Sequence, residues 1–254
     1  MKNPLLGAEI EGESADARLN RYRLFDEVNA PYTRWQLEQF GPHIGARLLE
    51  VGCGVGSLLA QLAPREFVMG LDVEPEIIAF AERRFADRDG YRFANLDISS
   101  LLPVDAALLK SFRFDTALCV NVLEHVLDDK AAVAAMAETV QEGGAVLILV
   151  PAHPSLYGPY DQMEGHFRRY TKAGLGDLLT GAGLTVRRLH RFNAVGALGW
   201  WVQYRLLRRR IHRQSHFKVL QSVLPALRAV EMWLKPPFGL SLVAVATKEA
   251  RPSS

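Results

Sequence analysis

A glycine-rich turn constrains the fold of this chain more than any other sequence feature. The apolar segment Arg47–Val51 predicts a strand that runs directly into Gly52, Gly54 and Gly56, and residues 57–62 predict a helix that follows. Glycine permits positive φ and a close approach of ligand to backbone, so we expect a side chain at Gly52 or Gly54 to occupy ligand space. The unpaired N–H groups at a helix start bind polar ligands. The turn therefore predicts a ligand site.

Strands and helices alternate along the rest of the chain. Further strands are predicted at residues 67–71, 91–94, 114–120, 145–150, 184–190 and 240–246. Helices are predicted at residues 15–40 (with a second start at Pro31), 75–85, 128–141 and 171–182. Such alternation is typical of βαβ units, which form a parallel sheet covered on both faces. We predict one α/β domain with four parts: an N-terminal helical cap (1–44), a core (45–191), a helical insertion (192–238) and a last strand (239–248).

Composition is that of a soluble globular protein. The chain has 254 residues, of which 49% are hydrophobic and 23% charged, which excludes a largely disordered chain, a collagen-like repeat or a disulfide scaffold. Cys53 and Cys119 lie in apolar runs without metal-ligand spacing, so we expect no metal and a reducing, cytoplasmic setting. The N-terminus lacks the apolar core of a signal peptide. The apolar stretch near Trp200 is shorter than the ~20 residues of a spanning helix.

An acidic residue at the end of the second strand indicates a nucleoside ligand. Asp72 can accept hydrogen bonds from the vicinal hydroxyls of a ribose, although a solvated strand end or a helix cap is the alternative. The glycine spacing departs from the dinucleotide fingerprint because Gly56 comes one position early, which disfavours a nicotinamide cofactor. Glu50, beside the turn, suits a cationic cofactor better than a pyrophosphate.

Four motifs in order resemble those of a known enzyme family. EVGCGVGS, GLD, NLDI and FDTALCVNVLEHV, within residues 45–190, look like the motifs of class I S-adenosylmethionine-dependent methyltransferases. The resemblance implies a Rossmann-like sheet of seven mostly parallel strands in the order 3-2-1-4-5-7-6, with the seventh strand antiparallel. It also implies S-adenosylmethionine as the cofactor.

The resemblance implies roles for the matching residues. The methionine and ribose parts of the cofactor would contact Glu50, Gly52, Cys53, Gly54, Gly56, Asp72 and Asn121. The adenine would contact Val73, Leu96, Asp97 and Ile98, with Asp97 accepting from the adenine amino group. The alternatives are a turn cap for Asp97 and plain core packing for Val73 and Leu96.

Two segments carry candidate residues for the methyl acceptor. An oxygen nucleophile must lose a proton, and histidine is the usual base. His166 and Asp161, in the polar loop after the fifth strand, are predicted as base and orienting partner; His125, after the fourth strand, is either a second base or a support. Arg168 and Arg169 either bind a phosphate or carboxylate on the acceptor or cap the loop.

The acceptor itself is left open by these motifs. PAHPSLYG and GHFRRYT resemble a bacterial subgroup of the superfamily, and LEHV is similar to the quinone O-methyltransferases, which accept a polyprenylated phenol. We expect methyl transfer to an oxygen or nitrogen of a small or lipid-linked acceptor. The alternatives are an RNA or protein methyltransferase and a non-catalytic protein that binds S-adenosylmethionine. The oligomeric state is left open as well.

A basic segment predicts a further contact surface. Residues 178–230 contain ten Lys or Arg and no Asp or Glu. Within the predicted helix 196–213, Trp200, Tyr204, Leu207 and Ile211 recur on one face, and Arg205, Arg209 and Arg213 lie opposite. This pattern predicts either a lid on the core or a peripheral helix on an anionic membrane. Nucleic acid is the least favoured partner.

Overall fold

A computed structural model of the protein describes residues 15–194, 196, 197 and 238–250, without the side chains of 15–25 and 27. The strands of this part are β1 (Arg47–Val51), β2 (Phe67–Asp72), β3 (Tyr91–Asn95), β4 (Phe114–Val120), β5 (Val140–Pro151), β6 (Leu184–Phe192) and β7 (Ser241–Lys248). Its α-helices are α1 (Ala15–Glu38), α2 (Pro75–Arg84), α3 (Pro103–Ser111), α4 (Asp129–Thr139), α5 (Pro159–Met163) and α6 (Lys172–Gly181).

The seven strands form one sheet in the predicted order, β3-β2-β1-β4-β5-β7-β6. β7 is antiparallel to both β5 and β6, whereas β1 to β5 pair in parallel. The predicted fold class is therefore confirmed. The strand order reverses direction between β1 and β4, and ligands of open α/β sheets bind at that point, beyond the carboxyl ends of the strands.

Each face of the sheet carries a hydrophobic layer, because successive side chains of a strand point to opposite faces. In β1, Leu49 joins the cluster that includes Met136 of α4, and Leu48 joins the cluster that includes Trp35 of α1. The central strands are apolar almost throughout, as expected for a parallel sheet buried on both faces. The loops at the carboxyl edge are therefore held by a rigid core.

The predicted helix at residues 57–62 is wrong. Only a 3-10 turn, Leu59–Gln61, follows the glycines. Gly56 has a φ of +77°, which lies outside the helical region, and Pro64 limits the segment on its other side. The segment between Gly56 and Pro64 forms a single 3-10 turn. The unpaired N–H groups that we expected at the start of an α-helix are therefore absent from this described segment.

Three other differences between prediction and structure concern helices α1, α3 and α4. Pro31 lies inside α1 instead of starting a second helix. Helix α3 was not predicted, although Pro103 marks its first turn. α4 ends before Gly143, because Val140 already pairs with Phe114 at the start of β5 and the register shifts before Thr116 pairs with Ala145. That shift accommodates the extra residues of β5.

Within the described residues, none of the helices is both long enough and apolar enough to cross a bilayer.

Candidate functional site

The glycine-rich turn lies at the carboxyl edge of β1, and its glycines adopt the predicted conformations. The φ values of Gly52, Gly54 and Gly56 are +68°, +52° and +77°. A Cβ on Gly52 would lie 2.3 Å from Cγ2 of Val122, whereas a Cβ on Gly54 would meet no atom within 4 Å. Gly52 is therefore required by packing against the segment after β4, whereas the expectation that a side chain here would occupy ligand space stays a prediction. Gly54 faces open space, as expected of a ligand surface.

Glu50 is a buried carboxylate that the protein leaves unsatisfied. Its side chain is 1% exposed, and among the described residues neither carboxylate oxygen has a hydrogen-bond partner. Burial, and then the charge of Asp72, raise the pKa of Glu50 well above its usual value. Buried polar groups without partners are rare and require an explanation. A cationic group supplied by a ligand, such as the amino group of S-adenosylmethionine, fits this position.

Asp72 connects the glycine-rich turn to the start of α2. One carboxylate oxygen accepts from the Gly54 N–H at 2.9 Å, and the other accepts from the Glu74 N–H at 3.1 Å. Each oxygen has a second lone pair for a ribose hydroxyl. The neighbouring Val73 side chain is 54% exposed, which is unusual for valine and leaves an apolar surface beside the carboxylate.

The residues predicted to surround adenine are divided between surface and core. Asp97 is exposed, and its Oδ1 accepts from the Ser99 N–H and hydroxyl at 2.8 and 2.7 Å, so it caps a turn. Leu96 packs partly on the core. Ile98 is 4% exposed and belongs to the main core, and its position beside an adenine ring stays a prediction.

Backbone hydrogen bonds hold Cys53 and Asn121 at the carboxyl edge of the sheet. The Cys53 side chain is 4% exposed, and its N–H donates to the Leu71 carbonyl at 2.9 Å. Asn121 is exposed directly after β4, with a φ of +54°, and its N–H donates to the Leu149 carbonyl at 2.8 Å. Asn121 is therefore held where β4 and β5 end.

Asp161 and His166 lie together, although they occur on opposite sides of a turn. Nδ1 of His166 is 2.9 Å from Oδ1 of Asp161, and Nε of Arg169 donates to the same oxygen at 2.7 Å. The Gly158 N–H donates to Oδ2 at 2.9 Å. Burial raises the pKa of Asp161, but the hydrogen bonds and charges of His166 and Arg169 outweigh it, and the pKa is lowered. Asp161 is therefore an anion at neutral pH that orients the imidazole.

His125 and Glu124 complete this group. The His125 and His166 rings meet edge to face with centroids 4.6 Å apart. Burial and the nearby His166 lower the pKa of His125 to about 4, so this ring is neutral at pH 7. Glu124 is 1% exposed, and burial raises its pKa to about 7. We use the name acceptor cluster for Glu124, His125, Asp161, His166 and Arg169.

Both arginines of the loop, Arg168 and Arg169, form ion pairs within the protein. Arg168 contacts the carboxylate of Asp129 at 2.8 Å and donates to the Leu127 carbonyl at 2.7 Å. Arg169 contacts Asp161 and the Ala152 carbonyl, and its side chain is 3% exposed. These contacts favour the loop-capping alternative over recognition of an acceptor phosphate.

One buried connection was not predicted. Asp26 of α1 accepts from the Ser57 hydroxyl at 2.5 Å and pairs with Arg84 of α2, which also donates to the Val55 carbonyl at 3.0 Å. Helix α1 is therefore fastened to residues 52–57, which we call the cofactor loop. The three side chains are far apart in the sequence and share no motif, so no local pattern indicated this contact.

The predicted helix 196–213 lies outside the described residues, apart from 196 and 197.

Comparison with known proteins supports the family resemblance. Residues 49–146 match the family described as a methyltransferase domain. The ubiquinone biosynthesis O-methyltransferase of Aeromonas salmonicida is 28% identical over 151 residues, which are 59% of this chain and 58% of that protein. The chain thus spans little more than half the length of the curated relatives it matches.

Solved structures share the fold at low sequence identity. One, a complex between the Haloferax volcanii Trm112 methyltransferase activator and its candidate methyltransferase, has a TM-score of 0.61 at 17% identity and covers 94% of this chain and 97% of that one. Phosphoethanolamine N-methyltransferase 2 of Haemonchus contortus, in complex with S-adenosylmethionine, has a TM-score of 0.58 at 17% identity, with 87% and 53% covered.

The sheet order, the position of the glycine-rich turn and the unsatisfied Glu50 agree with the family match. Over residues 49–146 the chain is thus similar to a methyltransferase domain, and its described strands form the sheet that the resemblance to class I S-adenosylmethionine-dependent methyltransferases implied.

Proposed function

We propose that the protein transfers a methyl group from S-adenosylmethionine to a hydroxyl oxygen of a small or lipid-linked acceptor. The observation that supports this most is the His166–Asp161 pair, with Nδ1 and Oδ1 2.9 Å apart, in the segment that follows β5. Parallel strands present their carboxyl ends at one edge, so this pair and the cofactor loop lie on the same side of the sheet. A nitrogen acceptor would have less need of a base.

The cofactor would be held by residues at the ends of β1 and β2. Glu50 would meet its amino group, Gly54 would allow its close approach, and Asp72 would accept from its ribose hydroxyls. When bound, S-adenosylmethionine supplies a methyl group on a positively charged sulfur, which is open to in-line attack. The protein's task is then to position the acceptor and remove its proton.

His166 is suited to remove that proton. Because Asp161 accepts from Nδ1, the neutral tautomer leaves Nε2 as the proton acceptor. Asp161 would then stabilise the imidazolium that forms. The neutral His125 ring, edge to face against His166, limits the directions in which His166 can rotate.

An apolar rim beside the acceptor cluster supports an apolar acceptor. Leu127, Met163 and Phe167 are 74%, 51% and 45% exposed, respectively. The Phe167 N–H donates to the Glu124 carbonyl at 2.7 Å, so this rim adjoins the cluster. Large apolar side chains at a site's edge are typical of binding surfaces for apolar groups. The O-methyltransferase name of the Aeromonas relative points in the same direction.

The basic segment 196–213, which the sequence predicts to be helical, would bring the protein to the surface where a lipid-linked acceptor lies. Its arginines would contact anionic headgroups, and its aromatic face would enter the interface. Co-sedimentation with phosphatidylglycerol vesicles tests this contact, with phosphatidylcholine vesicles as the control. Equal binding to both vesicle types would contradict an anionic membrane partner.

The test of the proposed function has two stages. Calorimetric titration with S-adenosylhomocysteine, with NAD as the control ligand, tests the cofactor. Incubation with radiolabelled S-adenosylmethionine and a panel of short-chain prenylated catechols then tests the acceptor, with the fully methylated forms as controls. We expect His166→Asn to lower turnover about 10²–10⁴-fold and to leave binding of S-adenosylhomocysteine unchanged. His153→Asn, in the same loop but outside the cluster, is the matched control.

Three results would contradict the proposal. An affinity for S-adenosylhomocysteine that Asp72→Ala leaves unchanged would remove Asp72 as the residue that binds the ribose. Full activity of His166→Asn would remove that residue as the base. Labelling of RNA or protein in place of small acceptors, with steep salt dependence, would indicate a macromolecular substrate.

A further inference from the structure

Three side chains of the acceptor cluster converge on one point. Glu124, His125 and His166 each offer one ligand atom, and these atoms lie within 4.8 Å of one another. Glu124 and His125 come from the 3-10 turn after β4, and His166 comes from the loop after β5. We propose that Glu124, His125 and His166 bind a divalent transition-metal ion beside the acceptor site.

Glu124 is the strongest reason for this proposal. The side chain is 1% exposed, and its Oε2 has no hydrogen-bond partner in the part of the chain that the structure describes. The guanidinium of Arg169 donates to Asp161 at 2.7 Å and to the Ala152 carbonyl at 3.3 Å. A buried carboxylate oxygen without a partner is costly, and a metal ion would satisfy it.

His166 is supported in the way that metal-binding histidines are. Its Nδ1 bonds to Asp161, which is itself fixed by Arg169 and the Gly158 N–H. Metal-ligating histidines almost always use one ring nitrogen for such a contact, which orients the other nitrogen toward the ion. His125 packs edge to face against His166, with ring centroids 4.6 Å apart, so the two rings are held beside each other.

The ligand set indicates which ions would bind. Two imidazoles and one carboxylate form the protein ligands of catalytic zinc sites and of the facial triads that hold other first-row metals. Mg²⁺ and Ca²⁺ are disfavoured because they prefer oxygen ligands. Three protein ligands leave coordination positions free, and the hydroxyl of the acceptor could occupy one. With the ion bound, Nε2 of His166 would be a ligand and not the base, and the ion would instead lower the pKa of the acceptor hydroxyl so that its proton is lost to water. That use in the reaction rests on the proposed methyl transfer, whereas binding of the ion does not.

The test uses the full chain without a polyhistidine tag, first treated with EDTA and then titrated with Co²⁺. Visible d–d absorption reports coordination, and calorimetry with Zn²⁺ gives the affinity and stoichiometry. We expect one equivalent to bind. Each of Glu124→Gln, His125→Asn and His166→Asn should weaken binding at least about tenfold. His153→Asn should bind as the original chain does.

The result that would overturn the proposal is an absence of binding, or a loss in the three variants no greater than that in His153→Asn. Titration of each variant with S-adenosylhomocysteine shows whether it is folded. Because the histidine variants are tested singly, a misfolded Glu124→Gln does not prevent the test. Metal binding without binding of S-adenosylhomocysteine would contradict the proposed function alone. The reverse result would contradict the metal site alone.

Discussion

The cofactor loop and the acceptor cluster lie at the same edge of the sheet but are constructed differently. The cofactor loop uses backbone: three glycines with positive φ, and an N–H of Gly54 held by Asp72. The acceptor cluster uses side chains, with Asp161 accepting from His166, Arg169 and Gly158. Polar groups are left unsatisfied in different ways too: Glu50 has neither oxygen paired among the described residues, whereas Glu124 lacks a partner on Oε2.

This difference indicates that the paired charges of the acceptor cluster stabilise the fold, whereas the unpaired carboxylate of Glu50 gains its partner only when a ligand binds. A buried network with paired charges resists the removal of any one member, because the remaining charge is left unpaired. A buried carboxylate without a partner destabilises the free protein and is satisfied when a ligand binds. We therefore expect changes in the acceptor cluster to affect folding more than changes in the cofactor loop do.

The largest effect is expected from Asp161→Asn. This change removes the charge that neutralises the buried Arg169 and should lower the free energy of unfolding by about 3–5 kcal/mol. Arg168→Met, which breaks the partly exposed pair with Asp129, should cost less than ~1 kcal/mol. Urea unfolding in EDTA measures both. Equal losses in the two variants would contradict the contrast between a buried network and a partly exposed pair.

A second comparison lies within the cofactor loop itself. Gly52→Ala introduces both a left-handed alanine and a clash with Val122, and should lower the free energy of unfolding by about 2–4 kcal/mol. Gly54→Ala meets no such clash and should cost only about 1–2 kcal/mol. Titration with S-adenosylhomocysteine should show the larger loss of affinity, relative to the stability lost, in Gly54→Ala. The opposite ranking would mean that Gly54 does not face the ligand.

Glu50→Gln should stabilise the free protein at high pH and weaken cofactor binding. The pKa of Glu50 is raised in the folded state, so ionisation above its unfolded pKa destabilises the fold, and the amide avoids this penalty. The gain in the free energy of unfolding should be about 1–3 kcal/mol at pH 8 and smaller at pH 5. Thermal unfolding at both pH values tests this, and a gain that is independent of pH would contradict it.

The smallest effect is expected from Asp26→Asn. Loss of the charged contacts to Ser57 and Arg84 should loosen the cofactor loop from α1 and reduce affinity for S-adenosylhomocysteine by about 0.5–1.5 kcal/mol. Glu82→Gln, an exposed change on the same helix as Arg84, is the control. An unchanged affinity in Asp26→Asn would show that the connection stabilises only the fold.

Much of the sheet could be predicted because its signals are local. The apolar run of β4 was predicted at the observed residues Phe114–Val120, and the resemblance implied the strand order that the structure confirms. The errors lie where a predicted helix competes with a neighbouring strand or turn. Val140 belongs to a strand because Phe114 pairs with it, and residues 57–62 form no α-helix because Gly56 turns the chain.

In the candidate site, too, local patterns predicted some residues, whereas other contacts depend on the tertiary structure. The glycines and Asp72 were predicted from one strand, one turn and the next strand. The burial of Ile98 in the core could not be predicted, because sequence does not show which side of a turn faces the core. The contact of Gly52 with Val122 could not be predicted, since it depends on how closely the segments after β1 and β4 approach.

The amino-acid sequence by itself determined the alternation of strands and helices, the positive φ of Gly52 and Gly54, and the positions of Asp72 at the end of β2 and Asp97 after β3. These depend on steric limits of single residues and on short-range periodicity. Only the tertiary structure decided that Glu124, His125 and His166 share one point and that Asp161 and Arg169 are buried together. The physical reason is that parallel strands bring their carboxyl ends to one edge, while side-chain packing sets which groups there meet and which stay unpaired.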